Sequence, residues 1–446
     1  MLLLTGCAQR KALVGYDARQ SGEVPPRSAL RHYITAINFE DDRLYQLALV
    51  EYRRAVVFDP GSMELKRGLL RNYFRLEMLD SAVVEARRVL TMTPTNEEAK
   101  AILGQSLVEL KEWPAAKEVY LDLTRQNPEE IVYWAHLAAI SLELQDTVQA
   151  MAVYDSIASR TGDGANVYVR AGAVMSLNGL HQSARKLYDK ALELQPDNPD
   201  AFYGISTVMM RQGMPDSAEW AVEKALDADP SEAQYYLTYG FLLSRRRDWE
   251  KSENILKLGA SLAPQEPRFC DLLGAVLQQQ GKYEEGLKYL YQSIELDSSS
   301  TDPYITIGFI YDELDSTEKA LEIYQRALQV DSANALVLNN YAYLLAEEGI
   351  RLEEAEEMSA KSLEKEPDNP SYLDTMGWIL YRLQDYAEAE KYIRKALELT
   401  ENAVMYLHLG DILRDGGKLT EAEESYRAGL KLDPEDRELI KRLETK

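Results

Sequence analysis

Residues 304–331 read YITIGFIYDELDSTEKALEIYQRALQVD. Apolar side chains recur there every three or four positions, the period of an amphipathic helix, on both sides of a polar break at Asp315 and Ser316. The stretch therefore predicts two short helices folded back on each other. Gly308 lies in the first, Ala320 twelve residues later in the second, and Tyr324 four residues beyond that. Small residues facing one another let two helices approach closely, and the ring one turn on fills the seam beside them.

These landmarks recur along the chain. Ala48, Ala82, Ala116, Ala150, Ala184 and Ala218 are each 34 residues apart. Gly104, Ala138, Gly172, Gly240, Gly274 and Gly308 precede that row by twelve, and Tyr52, Tyr120, Tyr154, Tyr188, Tyr324 and Tyr426 follow it by four. Pro60, Pro94, Pro128, Pro196, Pro230 and Pro264 keep the same beat; proline cannot continue a helix interior, so each closes a unit. Units starting near residues 29, 63, 97, 131, 165, 199, 233, 267, 301, 335, 370 and 403 make twelve repeats. Leu70, Ile157, Ser252 and Gly286 depart from the pattern, Ser298 and Ser332 stand where proline is expected, and one unit carries an extra residue within 339–370.

This spacing, seen again in YITAINFEDDRLYQLALVEYRRAVVFDP at residues 33–60, resembles the tetratricopeptide repeat. The resemblance implies an all-α, right-handed superhelical solenoid of about twelve helix-turn-helix units. It also implies a concave groove lined by the first helix of each repeat, mainly at repeat positions 2, 5, 6, 9, 12 and 13, where proteins or peptides bind. The chain then divides into residues 1–7, a signal remnant; 8–28, a polar tether; 29–436, the repeats; and 437–446, a capping helix that a repeat array needs at its end.

The opening MLLLTGCAQ resembles a bacterial lipobox, with Leu4, Thr5 and Gly6 ahead of Cys7. That resemblance implies cleavage before Cys7, its acylation, and a lipid anchor holding the protein to a membrane, facing the periplasm from the outer membrane. Only Leu2–Leu4 precede the box, whereas a secretory signal needs a basic start and a longer apolar core, so such a signal would begin upstream of Met1. Without acylation of Cys7 the same repeats would form a cytoplasmic scaffold.

Composition narrows the remaining classes. No run approaches the roughly 18 apolar residues of a spanning helix. The net charge of −24 argues against nucleic acid, whose phosphates need a basic surface. Charge is uneven: the first hundred residues hold 15 basic and 13 acidic side chains, and the rest hold 35 and 61. Two cysteines, Cys7 and Cys270, make neither a disulfide framework nor a thiolate metal site. His32, His136, His181 and His408 fall in four different repeats, and no phosphate loop or hydrolase motif is present. The expectation is a non-enzymatic binding protein with no cofactor and no metal.

Two sets of first-helix residues stand out as partner sites. Phe241, Phe309, Tyr343 and Trp378 all hold repeat position 9, with Tyr381 at position 12, and aromatics on a groove wall suit peptide docking or stacking on sugars. Arg67, Arg71 and Arg75 lie four apart on one helical face and would attract an anionic partner unless neighbours such as Glu64 or Glu40 neutralise them. Two known ligand-binding patterns of the family fail. In the carboxylate clamp, Asn340 has the middle place, but Ile305 and Phe309 stand where Lys and Asn should be; the ladder of asparagines at position 6 is missing as well. The reading is a membrane-anchored interaction scaffold that assists assembly of an envelope complex. A glycan- or peptide-binding lipoprotein is the alternative.

Overall fold

The computed structural model describes residues 26–444, all of whose regular structure is helical. Cys7, the lipobox and all but the end of the tether lie outside the described residues. The chain forms two compact units, one ending at Gly213 and one starting at Met214.

In the first unit the helices are α1 (Arg27–Asp41), α2 (Tyr45–Phe58), α3 (Met63–Arg75), α4 (Leu79–Met92), α5 (Glu97–Glu109), α6 (Trp113–Gln126), α7 (Ile131–Glu143), α8 (Thr147–Arg160), α9 (Gly164–Leu177), α10 (His181–Leu194) and α11 (Pro199–Arg211). The second unit holds α12 (Pro215–Ala228), α13 (Ala233–Arg245), α14 (Trp249–Leu262), α15 (Pro267–Gln279), α16 (Tyr283–Leu296), α17 (Asp302–Glu313), α18 (Thr317–Val330) and α19 (Ala335–Glu348). It continues through α20 (Leu352–Lys365), α21 (Pro370–Arg382), α22 (Tyr386–Leu399), α23 (Ala403–Asp415), α24 (Leu419–Leu432) and α25 (Arg437–Glu444). The first helices begin within two residues of the frame read from the sequence. α1 starts at Arg27, inside the segment assigned to the tether, because the Pro26 carbonyl already accepts from the Leu30 amide at 3.0 Å.

Within each unit, successive helices pack in pairs and pair stacks on pair. The close approach lies where the small residues predict it: a Cβ on Gly286 would stand 3.2 Å from the Gly274 carbonyl oxygen, and the Ser252 hydroxyl donates to the Gly240 carbonyl at 2.8 Å. The ring one turn on does more than fill a seam. A Cβ on Gly172 would come within 2.7 Å of Tyr188 Cε1, and one on Gly204, in the next first helix, within 2.8 Å of Tyr188 Cε2. One ring thus occupies space left by glycines sixteen residues before and after it. Tyr120 repeats this with Gly104 on one side and the stacked ring of His136 on the other, 4.8 Å away.

The turn between paired helices carries a second periodic feature. Arg43, Glu77, Lys111, Gln145, Gly179, Gly213, Arg247, Gly281, Asp315 and Gly349 all have positive φ, 34 residues apart. A left-handed residue just past a helix satisfies its last carbonyls and turns the chain. Asparagines at the other turn cap the next first helix: Asn96, Asn198 and Asn334 accept from the amides of Ala99, Ala201 and Val337 at 2.8, 2.8 and 3.1 Å. The extra residue in the tenth repeat lengthens α19 to 14 residues, where its neighbours α17 and α21 have 12 and 13. α25 closes the second unit with Leu439 fully buried and Arg442 bonded to Asp411 at 2.8 and 3.0 Å. Cys270 is 5% exposed in α15, and burial, then Asp271, raises its thiol pKa.

Candidate partner-binding site

The first helices α17, α19, α21 and the start of α23 together wall a cleft of about 290 Å³ in the second unit. Phe309 and Asp312 come from α17, Asn339, Asn340 and Tyr343 from α19, and Asp374 from α21. These side chains converge because neighbouring first helices bring positions 34 or 35 residues apart side by side. Phe309 is 43% exposed, so its ring faces the open side of the cleft. Tyr343 is half-buried, and burial, then the carboxylates of Glu347, Asp374 and Asp312, push its phenol well above the ordinary value.

Polar groups in the floor are incompletely matched. The Asn339 amide donates to Asn340 Oδ1 at 3.4 Å, but Asn339 Oδ1 is buried with no partner within the chain, and the buried Asn340 Nδ2, beside the Tyr324 hydroxyl, makes no well-formed hydrogen bond. Asp374 is held by the His408 ring at 2.9 Å. Asp312 lies at the mouth; partial burial first, then Glu313, Glu347, Asp315 and Glu348, raise its pKa. A larger cleft of about 630 Å³ runs beside α22, but its polar side chains are already paired: Glu390 is bonded to Arg394 at 2.9 Å and to Lys418 at 2.6 Å.

The aromatic row divides. Phe309 and Tyr343 line the cleft. Trp378 stacks on Tyr381 and on His408, with centroids 4.8 and 4.2 Å apart, and the Tyr381 hydroxyl donates to Asp415 at 2.8 Å. The Trp378 indole nitrogen is buried without a partner. Phe241, 45% exposed on α13, makes no ring contact with the others. The rings presented to solvent are therefore Phe241 and Phe309.

In the first unit the arginine stripe meets its counter-charges. Arg67 donates to Glu98 at 2.7 and 2.9 Å and to Glu64 at 3.3 Å. Arg71 pairs with Glu98 at 3.4 Å and Glu64 at 3.7 Å; burial opposes its charge, but Glu98, Glu40, Tyr52 and Glu64 outweigh that and raise its pKa. Arg75 bonds Glu40 at 3.2 Å and lies over the Tyr45 ring. Glu64 and Glu40 are the neighbours named from the sequence, whereas Glu98 reaches back 31 residues from the next first helix. Asp312, Asn339 and Asp374 carried no sequence signal of their own.

The comparisons with known proteins address the repeats directly. Tetratricopeptide repeat family models match residues 177–237, 267–300, 301–334 and 375–437. These are tetratricopeptide repeats. A TPR repeat-containing protein of Pseudomonas aeruginosa is 42% identical over 78 residues, 18% of this chain and 13% of that protein. The type IV pilus assembly protein PilF of the same organism is 29% identical over 140 residues, 31% of this chain and 55% of its own length. The matches thus span less than two thirds of either relative. Among solved structures, the APC/C hetero-tetramer Cut9–Hcn1 aligns over 99% of this chain and 98% of that one at 12% identity, with a TM-score of 0.49. PilF aligns over 47% and 94% at 22% identity, with a TM-score of 0.42. Tetratricopeptide repeat proteins generally bind other proteins or peptides.

Proposed function

We propose that this tetratricopeptide repeat chain is a non-enzymatic scaffold that holds partner proteins on the first-helix face of its ninth to eleventh repeats. The observation that carries the reading is the cleft between α17 and α21, walled by Phe309 and Tyr343 and floored by the buried Asn339 amide oxygen, which has no partner. Rigid helices position these groups, and a half-apolar, half-polar cleft suits a peptide segment. The lipobox-like Leu4-Thr5-Gly6-Cys7 supports a scaffold anchored to a bacterial membrane through acylated Cys7 and facing the periplasm. The likeness to a protein named for type IV pilus assembly supports a part in building an envelope complex.

Crosslinked capture from membranes tests this, with the wild type run beside Phe309→Ala/Tyr343→Ala. Discrete proteins held by the wild type and lost by a variant with unchanged circular dichroism support the site. Equal capture by both removes it. Mass spectrometry of the N-terminal peptide, with Cys7→Ser as control, tests the anchor: an acyl-modified Cys7 is expected, and an unmodified Cys7 in a soluble fraction returns the protein to the cytoplasmic alternative.

A further inference from the structure

We infer that the α17–α21 cleft takes an extended, lysine- or arginine-bearing peptide segment of its partner. This deepens the scaffold reading and rests on it. Three observations converge.

The first is the amide pair in the floor. Asn339 is 5% exposed and its Oδ1 has no donor, while the buried Nδ2 of neighbouring Asn340 lies beside the Tyr324 hydroxyl without a well-formed bond to it. A buried polar atom left without a partner bears its full desolvation cost. An unmet acceptor beside a donor held only loosely by a tyrosine hydroxyl is the complement of a peptide group, which offers an N–H and a C=O along an extended chain.

The second is charge. Asp312 and Glu347 have no basic partner among the described residues, and Glu313, Glu347, Asp315 and Glu348 add to the cost of charging Asp312. Arg382 donates to the Glu347 backbone carbonyl at 2.8 Å rather than to its carboxylate. Asp374, by contrast, is already matched by His408. Asp312 lines the cleft and Glu347 accepts from the Tyr343 hydroxyl beside it, so these are the carboxylates without a cation whose repulsion a cationic side chain would relieve. In the arginine stripe of α3 every guanidinium is bonded to a carboxylate, which makes an acidic partner there the poorer match.

The third is the wall. Phe309 and Tyr343 present aromatic surface beside those carboxylates, and a Lys or Arg stem packs on such surface while its head reaches the rim. The chain's net charge of −24 also steers basic segments toward it.

The test is fluorescence anisotropy on the full repeat array with three labelled, end-blocked peptides about nine residues long, alternating Ala with Lys, Glu or Ser. The Lys peptide is expected to bind at least about tenfold more tightly than the Glu peptide. Asp312→Lys/Glu347→Lys should abolish that preference, whereas Glu353→Lys/Glu357→Lys on the exposed face of α20 should leave it intact. Asn340→Ala should weaken the Lys and Ser peptides alike. Equal weakening by both charge reversals would mean overall charge alone drives binding, and overturns the inference. So does equal binding of the three peptides, or an Asn340→Ala variant that binds as wild type, whose amides would then be served by water only. The parent reading fails separately, when wild type and Phe309→Ala/Tyr343→Ala capture the same native partners. Partners lost from that variant yet kept by Asp312→Lys/Glu347→Lys leave the parent reading standing and overturn this inference, the cleft then being a docking site of another chemistry.

Discussion

The His408 ring nitrogen Nδ1 lies 2.9 Å from Asp374 Oδ1, joining the first helices of the last two repeats through a buried pair. Trp378 covers the imidazole with its indole, so water has little access to the bond. Burial alone would lower the His408 pKa. Asp374, through charge and hydrogen bond, reverses that, with Glu347 and Asp411 adding to it, and the pKa rises above the ordinary 6.5.

A raised folded-state pKa stabilises fully below about 6.5, the unfolded value, and the gain is lost as pH climbs through the folded value. Amide exchange in α21 and α23, corrected for intrinsic rates, should therefore show less protection at alkaline pH than at pH 6. His408→Ala should remove the dependence and cost about 3 kcal/mol, because Asp374 is left buried and unpaired. An alkaline loss that persists in the variant would assign it to another group.

Glu253 behaves in the opposite sense. Its carboxylate accepts from Lys257 at 2.7 Å, Lys282 at 2.7 Å and Gln280 at 3.0 Å; burial raises its pKa, but these bonds prevail and bring it down to about 2. A depressed pKa contributes stability above the unfolded value of 4.5, lost as pH falls toward 2. Glu253→Gln should lower stability by about 1–2 kcal/mol at pH 7 and by well under half as much at pH 2.5, read by urea unfolding at the two pH values.

Two glycines should respond differently to one methyl group. A Cβ on Gly308 would stand 2.6 Å from Tyr324 Cε1, inside the packed seam, so Gly308→Ala should cost about 2–3 kcal/mol. Gly281 has φ of 72° and open space around it, so Gly281→Ala should cost about 1 kcal/mol from backbone conformation alone. Equal costs in denaturant titration would mean that the seam can shift to make room.

Asp411 is 2% exposed and accepts from Tyr426 at 2.7 Å and from Arg442 at 2.8 Å, with Arg414 at 3.1 Å. Removing α25 takes away Arg442 and the cover that Leu439 gives. Repeat arrays couple mainly to nearest neighbours, so the deletion should unfold or loosen α23 and α24 and spare α13–α16. Hydrogen exchange resolved by segment would show this; uniform loss of protection would argue for one cooperative block.

The helix pairs were legible because glycine, alanine and tyrosine rows keep strict intervals, and close packing tolerates few alternatives at those places. The left-handed turn row at 43, 77, 111 and onward was not. Arginine, glutamate, lysine and glutamine hold it as often as glycine does, since one strained residue at an exposed turn costs only about 1–2 kcal/mol. The site was legible in part. Phe309 and Tyr343 stood out by type and position, but Trp378 has the same repeat position and stacks on His408 instead. What separates them is the neighbouring chain segment: His408, 30 residues downstream, offers a ring to Trp378. Glu98 likewise answers Arg67 from the following repeat, a pairing that becomes visible only when the helices are stacked.

A ring held between glycines of consecutive first helices belongs to neither repeat alone. Tyr188 completes the unit containing Gly172 and begins the one containing Gly204. The interchangeable module is therefore a phase rather than a segment: any excision or duplication of 34 residues returns a bulky side chain to a waiting gap, wherever it starts. A cut of another length moves the rings off their gaps unless a helix absorbs the difference, as α19 absorbs the extra residue of the tenth repeat. An array with that property can change length during evolution by slippage at many points, and the place where it binds its partner can drift along it without the joints being reinvented.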